Sequence, residues 1–561
     1  MRKRPKSSPP PIPPAPASQL IPALTIFAAA LVLRLLAAWQ LGSLPLSRTP
    51  QLDSAAYLMW ARAIVDGGLA WPPYPEHAPG YPFFLAAILA LFDGSLMAVR
   101  VVQSVLGAIA CVLTARVASR TVGPGAFLWA GLLQAAYGPL IYLDTALLAE
   151  SLLVFLLVLT LDVITAADRR SNRWLIGGVV LGAACVVRPT ALALVPAFLI
   201  VLARRHRWNR ETLIPAIAFA GGVLVFVAPV TIQNWRVAGV PMIQAYGGMN
   251  VYLGNRPSGD GAARARPGGE WDRLEAEASR AGASRNDQDR YYLRRAVTEI
   301  SEQPSAYVAL LAAKLWWALQ DEELRDTHSY YFFADAWAPL RWLPSFGLMI
   351  ALAVAALTAA RPRDPAWLIA YGAAMLATIV FLVVGTRYRI PLVPVVLAMA
   401  GSGVAAIIGT WRARNWKTMA RLGAVFVLAW LAAESWRDAA SRNLAEEQAM
   451  TGLSLLQEGR FGEAERAYRV AIATDPDSSF AWDGLGLALQ RLLSRAEARA
   501  AFERAVQINP SNAAAWLHLG YAHELLRDPE AALRAYEQAL TITPQRAEAQ
   551  QLYEAARRRY R

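Results

Sequence analysis

The chain has few of the residues that build disulfide, zinc and nucleotide sites. Only two of its 561 residues are cysteine, and both, Cys111 and Cys185, lie inside apolar runs. Their positions support neither a disulfide framework nor a zinc site. The sequence also lacks a P-loop, a dinucleotide glycine fingerprint and the signature of a hydrolytic triad. These absences exclude nucleotide-driven chemistry.

Charged residues are also scarce, at 17% of the chain, whereas 56% of the residues are hydrophobic and gather in long blocks. This pattern predicts a polytopic membrane protein. The net charge of +13 comes from cations in short loops between the apolar blocks. Membrane topology accounts for cations in such loops, so we expect no nucleic-acid partner.

The N-terminal residues 1–19 are basic and rich in proline, and no small-residue cleavage site follows them. We interpret them as a disordered cytoplasmic tail before a start-transfer anchor, not as a removed signal peptide.

Ten apolar segments are long enough to be considered as membrane spans, each of which needs roughly 20 residues. Segment 174–203 lies between two basic loops, residues 168–173 and 203–208, which should both be cytoplasmic. It therefore contains an even number of crossings and is predicted to be a tight hairpin with "VVRPT" (186–190) at its tip. The prediction is about eleven crossings, with the N-terminus cytoplasmic and everything after residue 434 outside. The segments are about 20–42, 95–118, 125–145, 147–167, 174–203, 212–233, 341–360, 366–384, 391–410 and 418–434.

The C-terminal region carries a repeat of 34 residues. Pro476, Pro510 and Pro544 follow this spacing, and so do glycines, alanines and aromatic residues between them. The pattern is that of tetratricopeptide repeats (TPRs), in which small residues let paired helices pack closely and proline ends the second helix. Residues 444–561 are thus predicted to form a three-repeat α-solenoid. It could bind a protein partner or serve as a packing module.

Carboxylates gather at the predicted outer face of the membrane. Asp53 lies after the first span and begins a short amphipathic helix, and a second interfacial helix is predicted within "EHAPGYPFFLAAILALF" (76–92). Asp144 and Glu150 lie at the next outer turn. Burying an ionised carboxylate in the membrane costs about 2.5–3.5 kcal/mol, so such residues usually face a cavity, a metal ion or a cation. Asp53 and Glu150 could share a divalent ion, but two carboxylates do not define a metal site.

Arginines also lie at the predicted outer face, where few cations are expected because positive residues concentrate in cytoplasmic loops. Arg188 lies at the hairpin tip, and Arg387 and Arg389 lie in "GTRYRIPLVPV" (385–395). They could snorkel to lipid head groups, or they could bind a phosphate through their guanidinium groups. Arg34 and Arg100, within or beside spans, are second-rank candidates. Carboxylates with arginines favour transfer chemistry on a lipid phosphate, in which a carboxylate accepts a proton and the arginines stabilise the departing phosphate.

Asp53 and the stretches "HAPGYPFF", "AESLLVFLLVL", "VVRPTALALVP" and "TRYRIPLVPV" together resemble the membrane glycosyltransferases of the GT-C class. The most similar group is family 39 and its relatives, which include protein O-mannosyltransferases and the lipid A aminoarabinose transferase. The resemblance covers about residues 20–410. It implies an inverting enzyme that takes a sugar from a polyprenyl-phosphate carrier on the extracytoplasmic side of a bacterial inner membrane.

The resemblance also implies roles for residues. Asp53 corresponds to the catalytic aspartate of the first loop, and Glu150 to an acidic residue near the acceptor or a metal. Arg188 and His77 correspond to residues near the carrier phosphate. Tyr57, one turn after Asp53 on the same helical face, could line the sugar site or anchor the interface. Ser54 stands where protein O-mannosyltransferases have glutamate, which weakens the case for a protein acceptor over a lipid or glycan.

The sequence therefore predicts an all-α protein in three parts. These are the tail 1–19, a GT-C transmembrane domain over 20–434 with an outer segment at 234–340, and the TPR domain over 444–561. Two alternatives remain open: a polysaccharide ligase or polymerase that uses a pyrophosphate-linked glycan, and a non-enzymatic scaffold whose TPRs gather partners. No cofactor other than the divalent ion is suggested.

Overall fold

The computed structural model describes residues 19–68, 71–167, 172–206, 210–245, 247–257, 259, 261, 269–282, 284–359, 361–434, 443–544 and 547–560. Every regular element in these ranges is a helix, which confirms the all-α prediction. The predicted tail lies outside the described residues except for Gln19, and so do residues 168–171 and 207–208 of the two basic loops.

The helices fall into four groups along the chain. The first group is α1 (Leu20–Gly42), α2 (Pro45–Arg48), α3 (Leu52–Gly67), α4 (Gly80–Leu91), α5 (Leu96–Thr121), α6 (Ala126–Ala135), α7 (Gly138–Thr145), α8 (Glu150–Thr165), α9 (Arg173–Val187), α10 (Leu194–His206) and α11 (Arg210–Ala238). The outer segment contains α12 (Gly247–Asn255), α13 (Glu270–Ala281), α14 (Arg285–Glu302), α15 (Pro304–Ala318) and α16 (Tyr330–Ala336). The bundle is completed by α17 (Phe346–Ala359), α18 (Ala366–Phe381), α19 (Thr386–Arg389), α20 (Val393–Arg412) and α21 (Trp416–Ala433). The C-terminal solenoid contains α22 (Ala445–Gln457), α23 (Phe461–Thr474), α24 (Ser479–Arg491), α25 (Arg495–Ile508), α26 (Ala513–Leu525), α27 (Pro529–Ile542) and α28 (Ala547–Arg559).

The chain is a multi-pass membrane protein by the length and composition of its helices. Among the described residues, six helices are long and apolar enough to cross a membrane, or seven if the bent pair α6 and α7 forms one span. The predicted count of about eleven is higher, because α8 and α18 have 16 residues and α9 has 15. A helix of 16 residues is about 24 Å long, which is shorter than the roughly 30 Å hydrocarbon layer. The count of eleven therefore stays a prediction.

Segment 174–203 is broken at the predicted position. Helix α9 ends at Val187, Arg188 is extended with φ −149° and ψ 116°, and a short 3-10 helix, Pro189–Ala193, precedes α10. Pro189 explains the break, because the residue before a proline is disfavoured in the helical region. The two halves differ in their main neighbours: α9 packs mainly against α11 and α8, whereas α10 packs mainly against α18 and less against α11.

The loop between the long helices α1 and α5 forms the predicted pair of short helices, α3 and α4, which pack against each other. Helix α4 also approaches the end of α9 very closely. A Cβ atom on Gly80 would lie only 2.7 Å from the backbone oxygen of Val186. This contact brings the loop that carries Asp53 beside the turn that carries Arg188.

A buried ion pair joins α1 and α7 inside the bundle, and α5 packs against it. The Nε of Arg34 donates to Oδ2 of Asp144 at 2.6 Å, and both side chains are buried. Gly107 of α5 provides the space for this pair, because a Cβ atom there would lie 2.2 Å from Oδ2 of Asp144 and 2.6 Å from Nε of Arg34.

Replacing Gly107 with alanine is expected to lower the free energy of unfolding by about 1–3 kcal/mol, the usual cost of overpacking a filled site. Thermal unfolding of the detergent-solubilised protein measures this. The control is Gly409→Ala in α20, which has open space around its Cβ position and should be neutral or slightly stabilising. Equal melting temperatures for the two variants would contradict the packing argument.

The C-terminal helices pair as the 34-residue repeat predicts. Gly452, Gly486 and Gly520 each lie against one aromatic ring, and added Cβ atoms would approach those rings to 2.9, 2.5 and 2.5 Å. The indole nitrogens of Trp482 and Trp516 donate to the backbone oxygens of the repeated prolines, Pro476 and Pro510. Small residues and aromatic residues therefore take the places that the repeat assigns to them.

Candidate active site

Arg387 is the centre of a network that joins distant parts of the chain. It lies in the one-turn helix α19, and its side chain is only 7% exposed. Its Nη1 donates to Oδ2 of Asp53 at 2.7 Å, and its Nε donates to Oε1 of Glu150 at 2.8 Å. Helices α3, α8 and α19 therefore meet at a single guanidinium group.

Two residues of segment 234–340 also contact Arg387. Asp326 forms an ion pair with it at 3.4 Å, and the hydroxyl of Thr327 accepts a hydrogen bond from Nη1. Sequence reasoning missed both residues. They lie in "RDTHSY" (325–330), a polar stretch without helical periodicity, and that polarity between apolar segments is the one local signal.

Glu150 is shared by two guanidinium groups. It is the first residue of α8 and is fully buried. Its Oε1 accepts from Arg387 and also from Nη1 of Arg188 at 2.7 Å. Two cations and the positive end of α8 therefore compensate a charge that would otherwise be costly to bury. The other carboxylate oxygen, Oε2, has no hydrogen-bond partner among the described residues.

Arg188 lies at the break between α9 and α10, where the extended backbone before Pro189 directs it toward Glu150. Its guanidinium also covers the ring of Tyr388, at 4.5 Å from the ring centroid. This cation–π contact adds to the ion pair. Arg188 and Arg387 are thus fixed side by side on one carboxylate.

Asp53 is the accessible carboxylate of the network, because 39% of its side chain is exposed and Glu150 is fully buried. Its position on α3 lies outside the spans. Partial burial raises the pKa of Asp53, but the charge of Arg387, together with His77 and Arg188, outweighs this effect and lowers the pKa to about 2. Asp53 therefore stays ionised at neutral pH.

Aromatic side chains lie next to Asp53. The rings of Tyr57 and His77 lie 4.8 Å apart, and those of Tyr57 and Tyr81 lie 5.1 Å apart. The hydroxyl of Tyr81 donates to Gln103 of α5 at 2.6 Å. Burial and the nearby charge of Asp53 raise the pKa of Tyr57, so this phenol keeps its proton. The predicted neighbours Asp53, Tyr57 and His77 thus lie together.

Other predicted site residues are held elsewhere. Asp144 forms its ion pair with Arg34 and not with the arginines that hold Glu150 in the described part of the chain. Arg389 pairs with Glu323 at 2.6 Å. Arg100 donates to the backbone oxygens of Thr145 and Ser47. These contacts hold helices and loops together.

The residues present do not fit a metal site. In the described part of the chain, no group of three or more His, Cys, Asp or Glu side chains could hold a metal ion. The guanidinium of Arg387 stands between Asp53 and Glu150, the pair for which a shared divalent ion was considered. We derive no step through a metal.

Comparisons with known proteins identify two regions of the chain. Residues 76–235 match the family described as dolichyl-phosphate-mannose-protein mannosyltransferase, and residues 484–547 match a tetratricopeptide repeat family. The first match includes His77, Glu150 and Arg188, whereas Asp53 and Arg387 lie outside it. The chain therefore combines a glycosyltransferase-family region with a TPR region. No curated protein sequence matches the chain.

Several solved structures match parts of this chain. One is the archaeal oligosaccharyltransferase AglB from Archaeoglobus fulgidus, in complex with an inhibitory peptide and a dolichol-phosphate, at 11% identity and a TM-score of 0.43. That similarity covers 80% of this chain and 59% of AglB. Another is ArnT from Cupriavidus metallidurans bound to undecaprenyl phosphate, at 14% identity and a TM-score of 0.39, covering 97% of this chain and 89% of ArnT. The first TPR of Spaghetti (RPAP3), bound to an HSP90 peptide, is 25% identical over 21% of this chain and 92% of its own, with a TM-score of 0.20.

Proposed function

We propose that the protein is an inverting glycosyltransferase that moves a sugar from a polyprenyl-phosphate carrier to an acceptor outside the cytoplasm. The observation that carries the proposal is the ion-pair network itself. An accessible carboxylate, Asp53, and two fixed guanidinium groups, Arg387 and Arg188, are joined in one network through Glu150. The family match over residues 76–235 supports the same reaction class.

The two arginines are suited to the carrier phosphate. Their guanidinium groups offer several N–H donors in a planar fork, which matches phosphate oxygens in charge and geometry. Glu150 fixes both groups before the substrate arrives, so little reorganisation is needed as negative charge develops on the departing phosphate. His77, whose ring lies beside that of Tyr57, would lie near the same phosphate.

Asp53 is suited to accept the proton of the attacking hydroxyl or amine. In the transfer step the acceptor oxygen or nitrogen forms a bond to the anomeric carbon, the bond from that carbon to the phosphate oxygen breaks, and the proton passes to Asp53. Attack from the face opposite the phosphate inverts the anomeric carbon. Tyr57 would line the sugar site.

The proposed function can be tested by offering the protein two kinds of donor lipid. Purified protein is given a synthetic polyprenyl-monophosphate sugar or a polyprenyl-pyrophosphate glycan, with cell envelope material as acceptor, and the released lipid is quantified. We expect turnover of the monophosphate carrier. Turnover of the pyrophosphate carrier alone would support a ligase or polymerase instead, and turnover of neither would remove the enzymatic assignment.

The pKa of Asp53 leads to a pH prediction. In the free protein Arg387 keeps the pKa near 2, so protonation of Asp53 should not lower kcat/KM above about pH 4. A bound phosphate accepts hydrogen bonds from Arg387 and weakens the ion pair between Arg387 and Asp53. The pKa of Asp53 therefore rises when the donor is bound. Because kcat reports the substrate complex, we expect the acid limb of kcat to lie at higher pH than that of kcat/KM.

Initial rates at low and saturating donor concentrations, from pH 4 to 8, measure kcat/KM and kcat. An acid limb of kcat/KM at or above that of kcat would contradict this coupling.

The orientation is part of the proposal: a bacterial inner membrane, with the N-terminus in the cytoplasm and the TPR domain outside. Both native cysteines are buried, so introduced cysteines can report accessibility. We expect a membrane-impermeant maleimide to label Asp477→Cys in the TPR domain of spheroplasts and to leave Lys417→Cys unlabelled until the cells are lysed. Both positions are exposed. The reverse pattern would place Asp53 on the cytoplasmic side and overturn the orientation.

A further inference from the structure

The first TPR helix, α22, packs against the two segments that hold the candidate active site. One is the turn at residues 48–51, directly before Asp53, and the other is the stretch 325–329, which contains Asp326 and Thr327. Met450 of α22 is part of the main hydrophobic core of the bundle. The solenoid is therefore continuous with the membrane domain at this point.

Helix α22 binds the turn before Asp53 through buried polar atoms. The amide nitrogen of Gln51 donates to Oγ of Ser454 at 3.1 Å and to Oε1 of Gln457 at 2.9 Å. The Ser454 hydroxyl in turn donates to the backbone oxygen of Thr49 at 2.8 Å. Ser454 is fully buried, and Gln51 is 5% exposed. Arg48 adds two hydrogen bonds to Glu458, at 3.0 and 2.8 Å, near the end of the same helix.

The turn held in this way is strained. Leu52, between Gln51 and Asp53, has φ +55°, a left-handed conformation that costs a leucine roughly 1–2 kcal/mol. Such conformations persist when the surrounding contacts over-determine them. Gln51 is the N-cap residue of α3, so the contacts from Ser454 and Gln457 fix where α3 begins and, with it, where the Asp53 carboxylate lies.

Helix α22 also binds the second segment. Oε1 of Glu447 accepts from the backbone nitrogen of Ser329 at 2.7 Å, and Arg325 pairs with Glu446 and Glu447 at 2.9 and 3.2 Å. Glu447 is 1% exposed. Residues 326 and 327, which contact Arg387, lie between these two anchoring points.

The residues of α22 that make these contacts differ from the residues at the equivalent positions of the second and third repeats. Positions 34 and 68 residues after Ser454 are Ala488 and Ala522, and the positions equivalent to Glu447 are Ala481 and Ala515. The positions equivalent to Gln457 are Arg491 and Leu525. Alanine at the first two positions therefore satisfies TPR packing. The polar side chains of the first repeat are explained by what they bind in the membrane domain.

We propose that α22 is a positioning element of the active site, with Ser454 and Gln457 holding the turn that places Asp53 and Glu447 holding the segment that contacts Arg387. The TPR domain then contributes to transfer within its own chain, in addition to any partner it binds. The test of this inference by kcat rests on the proposed function, whereas the test by hydrogen exchange, described below, does not.

The test is the double variant Ser454→Ala/Gln457→Leu, which gives the first repeat the Ala and Leu of the third. We expect kcat to fall about tenfold, because small misplacements of a catalytic group are costly. The KM for the donor should stay within about twofold, because the phosphate-binding arginines are not on this turn. The matched control is Arg491→Leu, which creates the same Ala and Leu pair in the second repeat, away from α3, and should leave kcat unchanged.

A double-mutant cycle assigns the effect to the contact. Gln51→Ala should lower kcat by a similar factor, and combining it with the Ser454 and Gln457 changes should add little, because the three side chains act as one unit. Fully additive losses in the cycle, or a double variant with the kcat of the wild type, would overturn the proposal.

Hydrogen exchange separates failure of this inference from failure of the proposed function. Residues 47–58 should exchange faster in Ser454→Ala/Gln457→Leu than in the wild type, and residues 325–330 should exchange faster in Glu447→Ala. Exchange in α24 to α27 should not change. Unchanged exchange in both segments would overturn the positioning role even if the protein transfers sugar, and faster exchange would support it even if the donor is wrong.

Discussion

Replacing Asp53 with asparagine is expected to lower the rate of sugar transfer by about 10²–10⁴-fold, the usual contribution of a positioned general base. The amide keeps the size of the side chain and can still accept a hydrogen bond from Arg387, but it cannot take a proton from the acceptor. Donor affinity should not weaken, because removing the negative charge leaves Arg387 freer to bind phosphate. Single-turnover transfer and equilibrium binding of the donor measure the two effects.

The matched control is Asp66→Asn, near the end of the same helix, where the side chain is exposed. It removes the same charge from α3 and should transfer sugar at the rate of the wild type. If Asp53→Asn also retained full activity, Asp53 would not be the base. If Asp53→Asn lost donor binding together with activity, its role would be to organise the arginines.

Replacing Arg387 with methionine is expected to abolish detectable transfer and to destabilise the protein by about 3–5 kcal/mol. The substitution removes one partner of a buried ion pair and leaves carboxylate charge uncompensated. Asp53 and Asp326 lose a cation, and Glu150 keeps only Arg188. Thermal unfolding in detergent and binding of polyprenyl phosphate are the measurements.

A second variant keeps the Arg387 prediction testable if the methionine variant does not fold. Arg387→Lys retains the charge, but a single ammonium group cannot reproduce the fork that joins Asp53 and Glu150 through Nη1 and Nε. We expect the lysine variant to recover most of the stability and to bind the carrier phosphate at least tenfold more weakly. The control is Arg412→Gln at the exposed end of α20, which should change neither property. Carrier affinity in the lysine variant equal to that of the wild type would show that charge alone matters at this position.

Local patterns predicted most of the architecture. Apolar blocks, the proline after Arg188 and the 34-residue repeat each depend on residues close in the chain, so the helices, the break before α10 and the paired TPR helices follow from the sequence. The number of crossings does not follow in the same way. Helices α8, α9 and α18 are apolar but short, so composition alone does not decide whether each of them spans the membrane.

The site was only partly predictable from the sequence. Charge at an apolar boundary is costly, which points to Asp53, Glu150, Arg188 and Arg387 as candidates, and the structure brings all four together. The same argument points equally to Arg389, which pairs with Glu323. Because a helix turns by about 100° per residue, side chains two positions apart on α19 point to nearly opposite sides. One of the two arginines could therefore face Asp53 and the other could not.

The sequence by itself determined that this chain is a helical membrane protein with a C-terminal TPR array, because periodicity and hydropathy are properties of neighbouring residues. The tertiary structure alone decided that Arg387 is the centre of the network, that Asp144 pairs with Arg34, and that α22 packs against the turn before Asp53. Those contacts join residues that are about 100 to 400 positions apart. Ion pairs and hydrogen bonds act over a few ångströms, so such partners are fixed by the folding of the whole chain.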